Sequence, residues 1–184
     1  MPLLVAACLL AVSAVFAVVR RKKEYVLLCA LAASLVVYLW FMLTYIAKKG
    51  GIAEPLSTVL FVTAGFRHRL QYSILTLQQL GYGVAVGRFL FPFLFLLTAL
   101  EYSSSPRTFW LRRHGWLLAF LPAAALVLYF PPVFLRFADH AAPQKVAVYG
   151  SLAWIAAYLL AGCVLLIREP ARTRSRYSRN SMVV

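Results

Sequence analysis

The stretch YVLLCALAASLVVYLWFMLTYIA, residues 25–47, decides the fold class: 23 residues without one charge. At about 1.5 Å of rise per residue, a helix of that length crosses a hydrocarbon layer of roughly 30 Å with some tilt. Trp40 and Tyr45 lie toward its far end, where interfacial aromatic residues are expected. Arg20, Arg21, Lys22 and Lys23 precede it, and Lys48-Lys49-Gly50-Gly51 closes it.

The same alternation of apolar runs and basic clusters extends both ways along the chain. Four more spans are predicted, at about 3–19, 83–100, 116–130 and 146–167. The first run carries its positive cluster after the apolar core, not before it. It therefore reads as a retained span, with cleavage as the alternative. Composition agrees: 63% of residues are hydrophobic and 13% charged. A water-soluble domain would be about a quarter charged. The expectation is an all-α integral membrane protein, a multi-pass bundle of about five transmembrane helices in a cell membrane.

The net charge of +14 does not point to nucleic acid, whose binders gather basic residues on one watery face. Here the basic residues punctuate apolar runs and set orientation. With the N-terminus outside, the cytoplasmic side holds residues 20–23, Arg107, Arg112, Arg113 and five tail arginines, twelve of the 19 basic residues. The outer side holds Lys48, Lys49, Arg67, Arg69, Arg136 and Lys145, six of the 19. This two-to-one bias predicts N-out/C-in topology and an odd number of spans. Residues 168–184 then form a basic cytoplasmic tail.

Residues 52–81 are ambiguous. Residues 56–66 are apolar but too short to span, and Arg67, His68 and Arg69 interrupt them. Leu70, Ile74, Leu77 and Leu80 then recur at helical spacing among glutamines. This predicts an amphipathic segment at the outer interface, with a re-entrant segment as the alternative.

Arg88 is the one charge well inside a predicted span. Such a residue is a candidate ligand or signal site. It lies about five residues from the outer end of the 83–100 span, so its side chain could also snorkel to the interface or pair with Glu54 or Asp139. Glu101, at the opposite end, is expected to pair with Arg112 or Arg113. Pro92 and Pro122 fall inside spans, remove helical hydrogen bonds and mark kinks, which makes them hinge candidates. Gly83 and Gly87, and Ala153, Ala157 and Ala161, permit close helix packing. Arg112, Arg113, Arg172, Arg174 and Arg176 are candidate contacts for anionic lipid headgroups at the inner face, or for a partner.

No chemistry-bearing pattern stands out. Cys8, Cys29 and Cys163 lie in apolar runs, without CxxC or zinc-ligand spacing. His68, His114 and His140 fall at span ends or in loops, not facing each other as haem ligands would. There is no Ser/His/Asp arrangement, phosphate loop or paired intramembrane carboxylate. The expectation is a non-enzyme without cofactor or metal.

Residues 75–82 (LTLQQLGY), 91–102 (FPFLFLLTALEY) and 110–113 (WLRR) together resemble the N-terminal seven-transmembrane sensor region of bacterial histidine kinases. In that family a "LQYLG"-like segment precedes a proline-containing third span. That span ends in an "L-x-Y-T-G"-like sequence, matched here by Leu100-Glu101-Tyr102-Ser103. A basic loop and a fourth span follow. The resemblance covers most of the chain and implies a sensory or receptor-like membrane module that works with a cytoplasmic kinase or cyclase. It departs in having five spans, no heptad pattern in the tail, and no phosphoacceptor or ATP-binding motif. Kinase activity is therefore not carried over, and a stand-alone, truncated or split sensor is implied. Against it stands a small scaffold or anchor subunit that acts by self-association or by holding a complex. A small transporter ranks last, because no polar residues converge at mid-membrane.

Overall fold

The computed structural model describes residues 2–20, 23–50, 60–61, 64–103, 109–138 and 141–180. The regular elements of these residues are helical: α1 (Pro2–Arg20), α2 (Lys23–Lys49), α3 (Ala64–Gln71), α4 (Leu77–Tyr102), α5 (Phe109–Arg113), a 3₁₀ turn (Gly115–Ala119), α6 (Phe120–Leu128), α7 (Pro131–Ala138) and α8 (Ala141–Asn180). Four of them contain stretches long and apolar enough to cross a membrane: Pro2–Val19, Lys23–Lys49, Leu77–Tyr102 and Lys145–Ile167.

Side-chain contacts give the direction of each pass. α2 runs antiparallel to α4. Lys23 meets Glu101 at 3.5 Å, Tyr38 packs on Gly87, and Phe41 packs on Gly83. At the other end, Lys48 Nζ donates to the carbonyls of Ser73 (2.8 Å) and Leu75 (2.5 Å). α8 runs parallel to α4, because Phe89 lies on Trp154 and Phe95, farther along, lies on Gly162. Residues 115–130 return between them: Gly115 sits by Leu97, Tyr129 by Phe89 and Phe130 by Tyr82. α4 thus lies in the middle, against α2 and α8, with the shorter 115–130 stretch beside it.

Half of the apolar stretch of α4 is buried inside the chain, against 11% for each of the other three. Val18, Val19, Val146 and Ile167 are each 72% exposed, and Leu160 65%. So much outward apolar surface requires an apolar surrounding, which the four long helices are built to meet.

The structure departs from the sequence expectations in four places. The segment around residues 70–80 is not one amphipathic helix. α3 ends at Gln71, and Ile74 is fully exposed. α4 then begins on a capping box: Gln79 N–H donates to Thr76 Oγ1 (3.3 Å) and Thr76 N–H to Gln79 Oε1 (3.0 Å). Residues 52–59, Glu54 among them, lie outside the described residues. Next, α4 starts six residues before the expected Gly83, since Thr76 satisfies the orphan N–H groups there. Third, the stretch read as the span 116–130 is a 3₁₀ turn followed by the nine-residue α6, shorter than a regular crossing helix. Lastly, the backbone of α8 continues helical through Arg168 to Asn180, past Ile167, where the fifth span was expected to give way to a basic tail.

Candidate functional site

Arg88 and Pro92, which the sequence singled out, lie in the middle of α4, beside an aromatic cluster of Phe89, Tyr129 and Trp154. Arg88 sits thirteen residues from Glu101 and thirteen from Leu75, about 20 Å of helix rise in each direction. Those two residues mark the charged ends of the bundle, where Lys23 and Lys48 bind. Arg88 is therefore halfway along the bundle, deeper than the five residues from the end that the 83–100 span implied. It is half-buried, and among the described residues it has no hydrogen bond or ion pair. Glu54 and Asp139, its expected partners, lie outside the described residues.

Its two neighbours show which faces of α4 are occupied. Gly87 packs against the Tyr38 backbone of α2. Phe89, 1% exposed, is wedged edge-on between Tyr129 (5.2 Å between centroids) and Trp154 (5.4 Å). Arg88 lies about 100° around the helix from each. The aromatic packing continues in both directions: Tyr129 stacks on Phe134 of α7, and Trp154 on Tyr158. Tyr129 Oη and Ser151 Oγ are hydrogen-bonded at 3.2 Å. The indole Nε1 of Trp154 is buried with no hydrogen-bond partner among the described residues.

The two prolines differ in what happens to the carbonyl each one frees. Pro122 has no N–H for the carbonyl of Leu118, four residues earlier. The Tyr158 hydroxyl of α8 donates to that same carbonyl at 3.0 Å. The Pro122 break is thus pinned across helices. Pro92, buried in α4, has no N–H for the carbonyl of Arg88. No side chain among the described residues donates to it. The freed carbonyl and the unpaired guanidinium belong to one residue, so polarity is concentrated there. Of the two hinge candidates, Pro92 is the one whose freed carbonyl has no side-chain donor among the described residues. Tyr158→Phe is expected to cost about 1–2 kcal/mol, since it strands a buried carbonyl. Detergent unfolding of the full chain measures it, and an unchanged midpoint would show that the bond is not made.

Of the residues expected at the inner face, Arg113 lines a cleft of about 340 Å³. Among the described residues Glu101 pairs with Lys23 and not with Arg113, because antiparallel packing brings the start of α2 to the end of α4. Arg113 and Trp116 line the cleft's mouth, and Leu97 and Leu100 its wall. The side chains of Arg112, Arg172, Arg174 and Arg176 lie outside the described part. A second, apolar cleft of about 430 Å³ lies between α1 and α2, with Phe91 of α4 in its lining. No group of three His, Cys, Asp or Glu residues that could hold a metal is found among the described residues.

Sequence reading missed Phe89, Trp154 and Tyr158. In an aromatic-rich apolar chain nothing marks them out before the helices are placed. No family model, curated protein or solved structure matches this chain, so its own residues carry the functional argument.

Proposed function

We propose that this chain is a membrane-embedded sensory or receptor-like module without catalytic activity. It crosses a bacterial cytoplasmic membrane five times, N-out and C-in. Residues 115–130 act as the fourth crossing, short as their helices are. α4 and α8 are parallel, so the chain must come back between them, and the basic bias of loops and tail supports the orientation. The loose resemblance to histidine-kinase sensor regions points the same way. It makes a cytoplasmic kinase or cyclase the expected class of partner.

The observation that carries the sensory reading is the construction of α4. This helix touches α2, α6 and α8, and it holds an unpinned proline break one turn from Arg88. A stimulus at the Lys48 end that favoured one bend of α4 would alter the Lys23–Glu101 end, provided it binds two bundle arrangements unequally. The test is the distance between spin labels at Val26 and Arg113, in full-length protein with the three cysteines replaced. Two distance populations are expected, with Pro92→Leu collapsing them toward one. A single narrow distance, unmoved by Pro92→Leu, would overturn the sensory reading.

One observation favours the second reading, a scaffold or anchor subunit. Ala153, Ala157 and Ala161 are all exposed along α8, leaving a smooth face for another helix. By contrast, Gly83 and Gly87 are occupied inside the chain by Phe41 and Tyr38.

A further inference from the structure

We propose that Arg88 is the docking point for a carboxylate carried inside a transmembrane helix of a different protein. The inference rests on the five-crossing reading, which puts the halfway level of the bundle near the bilayer centre. A guanidinium there is costly unless it is paired or reaches water. An arginine reaches about 6–7 Å by snorkelling, and the charged ends of the bundle are about 20 Å away in either direction. Lipid phosphates lie beyond that reach.

Among the described residues no acidic side chain lies at this depth, Glu101 standing at the Lys23 end of the bundle. The chain's five acidic residues are Glu24, Glu54, Glu101, Asp139 and Glu169, and none lies inside an apolar run. A second copy of the chain, aligned by the same membrane, brings the same empty level and a second Arg88. Self-association through this point would set like charges together.

Arg88 also keeps part of its side chain accessible on one side of α4. Arg88 shares a side of α4 with Phe91 and Phe95, three and seven residues on. These two rings stack on each other at 6.4 Å. Phe91 lines the cleft between α1 and α2, while Phe95 lies on Gly162 of α8. The row therefore runs along the seam between the α1–α2 hairpin and α8. A helix laid on this seam would meet two aromatic rings and one cation. A carboxylate at the matching depth would form a charge-assisted, bidentate pair with the guanidinium.

The test uses full-length protein in phosphatidylcholine vesicles and a synthetic leucine-rich single-span peptide with one central Glu. Association is read by energy transfer between labels on the two. The central-Glu peptide is expected to bind at least about tenfold more tightly than the same peptide with Leu or Gln. Moving the Glu to the peptide's end should remove the preference. Arg88→Lys should keep most of it, and Arg88→Gln should abolish it while leaving helicity unchanged. Equal binding of all peptides, or a preference that survives Arg88→Gln, would overturn the proposal. Arg88→Cys, in a chain without other cysteines, separates this failure from failure of the crossing reading. Rapid labelling by a water-soluble maleimide would place the level in water and sink both. Slow labelling without Glu preference would sink the docking alone.

Discussion

Replacing Phe89 by alanine is expected to destabilise the bundle by about 2–4 kcal/mol. Phe89 is the largest of the side chains with under 2% exposure, and it joins three passes at once. Its ring meets Tyr129 at the end of α6 and Trp154 in α8, both edge-on. In lipid the transfer part of the usual core-mutation cost shrinks, because acyl chains are as apolar as the bundle interior. What is lost is contact: the cavity's lining has no atoms on one side. Leu160→Ala, on a side chain 65% exposed, should change stability by under about 0.5 kcal/mol. Unfolding of the full chain by increasing SDS, followed by circular dichroism, compares the two. Equal effects would mean that the α4–α6–α8 contact is not a packed core.

The four long apolar helices were legible because each apolar run carries its signal locally, in length and in flanking charge. Residues 25–47 need no tertiary information to be read as a span. The start of α4 was only half legible. Thr76-Leu-Gln-Gln79 spells a capping box, yet the leucine spacing through 70, 74, 77 and 80 suggested one continuous helix. The break between α3 and α4 is fixed by Lys48, which holds the carbonyls of Ser73 and Leu75 from 25 and 27 residues away. No local pattern reports that contact.

The depth of Arg88 followed from that error, because depth was counted from a helix start placed six residues late. The other misplacements share this origin. Glu101 was paired with the basic residues nearest in sequence, whereas antiparallel packing offered it Lys23, 78 residues away. Pro122 looked equivalent to Pro92 until Tyr158, 40 residues from Leu118, supplied the missing donor. Residue types flagged the polar positions in the spans, but only the arrangement of the helices shows which are satisfied. That difference separates Pro122, whose freed carbonyl has a donor, from Pro92, whose freed carbonyl has none from a side chain among the described residues.

Gly87→Ala is expected to destabilise the bundle by about 1–3 kcal/mol, although alanine is the better helix former. A Cβ at position 87 would stand 2.6 Å from Tyr38 Cβ and 2.7 Å from its backbone Cα. Side chains can rotate away from such an intrusion, but a backbone Cα cannot, so α2 and α4 must separate. The helix-propensity gain of up to about 1 kcal/mol offsets only part of that loss. The same helix provides its own control, because a Cβ at Gly81 meets nothing within 4 Å. Gly81→Ala should therefore be neutral or stabilising by up to about 1 kcal/mol. Opposite signs at two glycines six residues apart cannot arise from propensity, detergent or expression level. They arise only if the backbone of α2 touches α4 at residue 87. The contact lies one residue from Arg88 and five from Pro92, so separating the helices there should also disturb the spin-label distance between Val26 and Arg113. If both glycine variants shift stability in the same direction, the α2–α4 approach is wrong. The halfway placement of Arg88, which is measured along those two helices, would fall with it.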